Sequence, residues 1–150
     1  MRELLFYFVT WLCLTEMETM ATGKEYTELF NKCKEKYGLS KEEAVKSLIA
    51  VIKEKYLEDE RKRCFIVCTE EGEGYLKDGR LDEDHIVHDV SNTSAEHDCK
   101  LNEEKFRTDV KKCAMKGGDG KCEAAYNSYT CLVHLLLNLN DYKEDDVKEN

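Results

Sequence analysis

Residues 61–82 read RKRCFIVCTEEGEGYLKDGRLD, and this stretch decides the class of fold. Cys64 and Cys68 are four residues apart, so on an α-helix both side chains project from the same face. Residues 72–82 then contain three glycines, which supply the backbone freedom of a loop. The stretch therefore predicts a helix that presents two thiols to neighbouring elements, followed by a turn.

Amphipathic helices are predicted on both sides of this stretch, because apolar residues recur at steps of three and four. The first of these stripes ends at Gly38 and contains Tyr26, Leu29, Phe30, Cys33 and Tyr37. Ser40 and Glu43 form a capping box that opens a second helix. Asp82 and Asn102 are typical N-caps for the fourth and fifth helices.

The remaining helix boundaries follow from breaks in the apolar pattern. We expect the fourth helix to stop near Val90, because residues 91–98 are polar and aperiodic. The last helix is expected from about residue 121 to residue 138, and Met115 is expected to fill a gap in the core. With no proline, no strand pattern and no repeat, the chain predicts an all-α fold of six short helices.

Composition limits the classes of function. A chain of 150 residues suits a single domain, and 41% hydrophobic residues leave enough apolar side chain for a core. The net charge of −9 argues against nucleic acids and anionic membrane surfaces, which bind Lys and Arg. No arrangement of Ser, Cys or carboxylates indicates a catalytic centre, so we expect no enzyme activity and no cofactor.

The N-terminus predicts export. Arg2 precedes an apolar run, residues 4–14, that is too short to span a bilayer, and the small residues Thr19 and Ala21 lie where a signal peptidase cleaves. We interpret residues 1–21 as a secretory signal peptide. A buried N-terminal helix is the alternative, which the absence of a polar face disfavours. No membrane span is then expected in the mature chain.

The mature chain is divided into residues 22–139, a helical domain, and residues 140–150, an acidic C-terminal tail. In an oxidising compartment, disulfides are the default fate of its seven cysteines. Spacing alone does not fix their connectivity, and an odd number leaves one thiol over.

Six of these cysteines have the spacing C-x30-C-x3-C-x44-C-x8-C-x8-C. The C-x3-C and C-x8-C intervals, together with the loop at residues 74–82, resemble the insect odorant-binding protein family (the pheromone-binding and general odorant-binding proteins). The resemblance covers residues 24–139. It implies the disulfides Cys33–Cys68, Cys64–Cys122 and Cys113–Cys131.

The resemblance also implies a secreted, extracellular carrier that binds small hydrophobic ligands, such as odorants or pheromones. Cross-linked amphipathic helices cannot collapse fully onto one another, so an internal hydrophobic cavity can persist between their apolar faces. A carrier of the same fold that serves venom, saliva or reproduction is one alternative. A secreted helical signalling or structural protein with a solid core is another.

The predicted ligand-binding residues lie on the apolar faces of the helices: Leu48, Ile52, Phe65, Ile86, Val90, Phe106, Val110, Tyr126, Tyr129, Val133 and Leu137. Tyr126 and Tyr129 are the preferred polar contacts, since a phenol can hydrogen-bond a ligand oxygen while its ring stays apolar. Periodicity does not distinguish a cavity wall from ordinary packed core, so that interpretation stays open for each residue.

Three features depart from the family pattern or add to it. Cys99 is an extra cysteine, and it is either an intermolecular disulfide linking a homodimer or an unpaired surface thiol. The highly charged residues 143–150 argue against a C-terminal lid over an apolar pocket. Asn92 begins an Asn-Thr-Ser sequon in a polar linker and is a candidate for glycosylation.

Histidines provide two further hypotheses. Cys64, Cys68, His85 and His88 have a spacing close to that of zinc fingers, although export and the disulfide pattern favour no metal. Histidines titrate near neutrality, and His134 on the last helix is the candidate for a pH-sensitive group.

Overall fold

The computed structural model describes residues 23–97 and 100–143. This part of the chain forms the six helices α1 Gly23–Lys36, α2 Lys41–Ile52, α3 Glu60–Glu73, α4 Glu83–Glu96, α5 Glu103–Ala114 and α6 Glu123–Leu137. A two-stranded hairpin, β1 Leu76–Lys77 and β2 Arg80–Leu81, joins α3 to α4, and a 3₁₀ turn, Leu139–Tyr142, follows α6. The predicted all-α fold is confirmed.

The predicted helix caps are present. At the start of α2, the Glu43 N–H donates to Ser40 Oγ at 3.1 Å, and the Ser40 N–H donates to Glu43 Oε2 at 2.8 Å. Asp82 accepts from the N–H of His85 at 3.0 Å and so caps α4. Asn102 caps α5 in the same way. Each cap satisfies a backbone donor that the first turn of a helix leaves unpaired.

Helix α4 is longer than predicted, because it continues past Val90 to Glu96. The expectation that it stops near Val90 is wrong. Short hydroxyl side chains turn back to the helix or into the core, since Thr93 Oγ1 donates to the carbonyl of Asp89 at 2.8 Å and Ser94 is buried. Short polar side chains that bond to the helix backbone or are buried can continue a helix without an apolar stripe. The apolar periodicity of α4 therefore ends before the helix itself ends.

The loop after α3 contains the two-stranded hairpin, which the sequence analysis did not predict. Leu76 pairs with Leu81 and Lys77 with Arg80 in antiparallel register. The two residues between the strands, Asp78 and Gly79, have positive φ values of 51° and 73°. Such a turn matches the twist of a hairpin, and Asp-Gly is one of its preferred sequences. Leu76 and Leu81 are buried, so the hairpin closes one side of the core.

Helix α3 lies at the centre of the fold and packs against α1, α2 and α6. Helix α5 packs against α4 and α6. One buried cluster receives side chains from all six helices, including Phe30, Ala44, Phe65, Ile86, Phe106 and Leu132. Phe30 and Phe65 meet edge to face, with ring centroids 5.5 Å apart. None of the described helices is long and apolar enough to cross a membrane.

Three disulfides connect the helices. Cys33–Cys68 joins α1 to α3, Cys64–Cys122 joins α3 to the residue before α6, and Cys113–Cys131 joins α5 to α6. Their Cα–Cα distances are 5.8, 5.2 and 5.4 Å, within the range of ordinary disulfides. These are the pairs that the family resemblance implies.

Two residues near the C-terminal end of the domain differ from expectation. Tyr142 falls within the predicted acidic tail, but it is buried, its hydroxyl donates to Asp109 Oδ2 at 2.8 Å, and its ring meets that of Phe106 edge to face. Met115 is 76% exposed, so its predicted place in the core is wrong. It follows α5 as the C-cap residue, beyond the stripe that faces the interior.

Candidate functional site

Most of the predicted ligand-binding residues lie together in the interior. Eight are buried in the common core: Phe65, Ile86, Val90, Phe106, Val110, Tyr126, Tyr129 and Val133. Leu48 and Leu137 are partly exposed and pack against that core, and Ile52, at the end of α2, is also partly exposed. The buried members come from α3, α4, α5 and α6, so residues far apart in sequence surround one apolar region.

The hydroxyl of Tyr126 contacts backbone groups of the protein. It accepts from the Leu57 N–H at 3.2 Å and lies 3.5 Å from the carbonyl of Lys55. Its ring meets Tyr56 edge to face, with centroids 5.8 Å apart. Tyr126 therefore fixes the connection between α2 and α3.

Tyr129 contacts a residue that the sequence analysis overlooked, Glu70 of α3. The Glu70 side chain is completely buried, and it hydrogen-bonds the Tyr129 hydroxyl. Glu70 lies one helical turn after Ile66, which is also fully buried. The helical period from Ile66 could have revealed its inward position, but its place in the polar run Thr69-Glu70-Glu71 predicted a solvated face.

Burial controls the protonation of this pair. Loss of solvation raises the pKa of Glu70 to about 8, although hydrogen bonds from Tyr129 and Thr69 oppose the change. Burial, together with Glu70, raises the pKa of the Tyr129 hydroxyl well above its ordinary value. Burial and the carboxylate of Asp89 likewise raise the pKa of Tyr75. Near neutral pH the interior therefore holds a neutral carboxyl beside neutral phenols.

A second feature is a solvent-open cleft of about 430 Å³ between α6 and the residues that follow α2. Its walls include Lys55, Tyr56, Tyr126 and His134. His134 Nδ1 forms a close contact with the carboxylate of Glu54 across this cleft, and both side chains are largely exposed. The predicted pH-sensitive residue thus lies at the surface and away from the buried cluster.

The alternative zinc site is not formed. Cys64 and Cys68 are consumed by disulfides to Cys122 and Cys33, and disulfide sulfurs are not zinc ligands in the way thiolates are. Within residues 23–97 and 100–143 no group of three or more His, Cys, Asp or Glu side chains could hold a metal ion.

The structure describes the sequon at Asn92 but not the extra cysteine, Cys99. Asn92 is exposed on α4, where its amide lies 2.9 Å from His88 Nε2, so it belongs to a helix and the predicted polar linker is wrong. Cys99 lies outside the described residues, as do the predicted signal peptide and residues 144–150 of the tail.

The fold and the three disulfides define a class of disulfide-bonded all-helical proteins, and comparison with known families agrees. The model of the PBP/GOBP family matches residues 15–134. This match spans most of the chain, and the protein belongs to the PBP/GOBP family, the group that the cysteine spacing resembles. The family resemblance predicted from the sequence is confirmed.

A solved structure supports the same fold. The fatty acid binding protein OBP56a from the oral disk of the blowfly Phormia regina superimposes with a TM-score of 0.55 and 24% sequence identity. The match covers 78% of this chain and 94% of that protein. No curated protein matches the chain significantly. The family and this neighbour are binding and carrier proteins rather than enzymes.

Proposed function

We propose that the protein is a secreted carrier that reversibly buries a small hydrophobic ligand, an odorant, pheromone or lipid-like molecule, and keeps it soluble in an extracellular fluid. Membership of the PBP/GOBP family is the observation that carries this proposal. The description of the structural neighbour as a fatty acid binding protein supports the same ligand class.

The interior offers the chemistry that such a ligand needs. Buried faces of four helices meet in one cluster that includes Phe65, Phe106, Tyr129 and Val133. Disulfides link α3 to the residue before α6 and α5 to α6, so three of these helices are restrained covalently. Transfer of apolar ligand surface from water to this region contributes about 25 cal/mol per Å². Binding of this kind is reversible, needs no cofactor and involves no covalent chemistry.

An extracellular location fits the covalent structure. Disulfides persist in oxidising compartments and are rare in the cytosol. Residues 1–21 supply the signal peptide in this proposal, and Asn92, exposed on α4, remains a candidate for a glycan added on export. The net charge of −9 favours a small neutral ligand over nucleic acid as partner. A homodimer through Cys99 remains a prediction.

A carrier role outside olfaction is the second candidate. The structural neighbour comes from the oral disk of the blowfly and is described by its fatty acid binding. Transcripts confined to antennae would support olfaction, whereas transcripts in mouthparts or glands would support the second candidate.

Displacement of a fluorescent apolar probe from the secreted, oxidised monomer tests the carrier function. Val133→Trp fills the interior, because Val133 is 5% exposed on α6, and we expect probe affinity to fall about tenfold or more. Val45→Trp is the matched control, since Val45 is 39% exposed on α2, and it should bind like the wild type. Circular dichroism checks that both variants fold.

Absence of probe binding by the wild-type monomer would contradict the carrier function and favour a helical signalling or structural protein with a solid core. Equal losses in Val133→Trp and Val45→Trp would place the ligand outside the interior.

A further inference from the structure

Glu70 is unusual among the buried residues. Of the described residues that are buried, it is the one with a carboxyl or basic side chain, and its exposed fraction is 0%. Charged residues are almost never fully buried unless they are paired. Among the described residues Glu70 forms no salt bridge within 4.0 Å.

One oxygen of the Glu70 carboxyl has no hydrogen-bond partner in the described structure. Oε1 lies 3.4 Å from Thr69 Oγ1, whose hydroxyl donates to the carbonyl of Ile66 at 2.8 Å. Oε2 is buried and makes no hydrogen bond. A buried polar atom in this condition costs about 1–3 kcal/mol. An unpaired polar group kept at such a cost requires an explanation, and a role in ligand binding would supply one.

The surroundings of Glu70 keep it neutral. Tyr129 from α6 hydrogen-bonds the carboxyl, Tyr75 beyond the end of α3 interacts with it, and Glu73 of the same helix adds a like charge. Tyr26 of α1 interacts in turn with Tyr129. Loss of solvation is the largest influence on this carboxyl, and it raises the pKa of Glu70 to about 8. Near pH 7 the neutral acid is therefore favoured.

We propose that Glu70 is the polar anchor of the interior ligand site, where its Oε2 hydrogen-bonds a neutral, oxygen-bearing head group on an otherwise apolar ligand. This inference rests on the carrier function proposed above. A protonated carboxyl offers both a donor and an acceptor, and a hydroxyl head group complements either.

Glu70 as an anchor should give three classes of amphiphile, namely alcohols, carboxylates and ammonium ions, different affinities for the site. A neutral alcohol satisfies the unpaired oxygen and leaves no charge buried. A carboxylate ligand would bring an uncompensated negative charge into the apolar interior, which is costly. An ammonium ligand requires Glu70 to ionise first, so its affinity would increase as the pH rises. Hydrocarbons bind by burial alone and gain nothing from Glu70.

Decanol and decane, compared as competitors of a fluorescent probe, test the anchor in the mature oxidised protein. Glu70→Leu should weaken decanol about 3- to 10-fold, the loss of one hydrogen bond, without weakening decane. Glu70→Gln keeps a neutral hydrogen-bonding group and should retain most of the decanol affinity. Glu71→Gln is the matched control, because Glu71 is exposed on the same helix.

A pH series from about 6 to about 9.5 gives the second readout. Ionisation converts Glu70 from a neutral acid to a carboxylate, so the wild-type affinity for decanol should change above pH 8, whereas that of Glu70→Gln should stay flat. This comparison stands even if Glu70→Leu does not fold.

Three outcomes would overturn the anchor. They are equal losses of decanol and decane in Glu70→Leu, parallel pH profiles for wild type and Glu70→Gln, or a decylamine affinity that exceeds that of decanol and increases with pH. Failure of every competitor to displace the probe from the wild type would instead remove the carrier function itself, so the two failures are distinguishable.

Discussion

Helices α3 and α4 are both 14 residues long, but different bonds hold them in place. Cys64 and Cys68 tie α3 to α6 and α1. No cysteine lies in α4, which is held by its packing on α5 and by non-covalent side-chain contacts. Asp89 Oδ2 accepts from the Tyr75 hydroxyl at 2.6 Å, and Asp84 pairs with Arg107 at the surface.

The disulfides of α3 and the non-covalent contacts of α4 stabilise the protein in two different ways. Disulfides act mainly by restricting the unfolded chain, so they resist global unfolding. Hydrogen bonds and packing act in the folded state and can be lost locally. The buried Glu70 belongs to the covalently restrained helix, which can hold an unfavourable group in place. Helix α4, like α2, contains no cysteine and can open without breaking a covalent bond.

The largest expected effect is the removal of a disulfide from α3. The double change Cys64→Ser and Cys122→Ser opens a link with a sequence separation of 58 residues and should lower the free energy of unfolding by about 4 kcal/mol. The pair Cys113→Ser and Cys131→Ser, with a separation of 18, should cost about 3 kcal/mol. Urea denaturation measures both, and a reversed order would contradict the unfolded-chain explanation.

The next effect concerns the buried acid of α3 and depends on pH. The folded-state pKa of Glu70, about 8, lies above its unfolded value, so its favourable contribution is complete below the unfolded pKa and is lost as the pH rises through about 8. Wild type should lose about 3 kcal/mol more than Glu70→Gln between pH 5 and pH 8. Glu71→Gln is the exposed control, and identical slopes in all three proteins would contradict a buried, neutral Glu70.

A smaller effect is expected for the contact that fixes α4. Tyr75→Phe removes the hydroxyl that donates to Asp89 and should lower stability by about 2 kcal/mol, because a hydrogen bond to a charged acceptor is lost in a buried setting. Asp89→Asn keeps an acceptor and should cost less. Urea denaturation compares the two variants, and the opposite order would show that the charge of Asp89 is unimportant.

The smallest effects are expected from the helix caps. Removing one cap from α3 and one from α4 tests directly whether only α4 opens locally. Asp59 caps α3 and Asp82 caps α4, each through one backbone N–H. Replacement of either by Ala should cost about 1 kcal/mol. Native-state hydrogen exchange should show local opening of α4 in Asp82→Ala, while α3 in Asp59→Ala opens only with the whole molecule. Local opening of both helices would show that the disulfides do not restrain α3.

Much of the fold could be predicted because it depends on local chemistry. The capping residues Ser40, Asp82 and Asn102 mark helix starts through hydrogen bonds that span only two or three residues. The end of α4 was missed because Ser94 is a polar residue buried by tertiary packing, and no pattern within the helix shows this. Met115 was misplaced for the opposite reason, since an apolar side chain can also be left exposed at a helix end.

The helical class, three of the six helix starts and the family could be read from the sequence, because periodicity, caps and cysteine spacing are properties of the chain alone. The tertiary structure decided which polar groups lie inside. Glu70 and its exposed neighbour Glu71 are the same residue type in the same helix. They differ only in which face of α3 meets α1 and α6, and so in whether water or protein surrounds the carboxyl. Solvation, which sets the charge of an acid, is a property of the assembled fold.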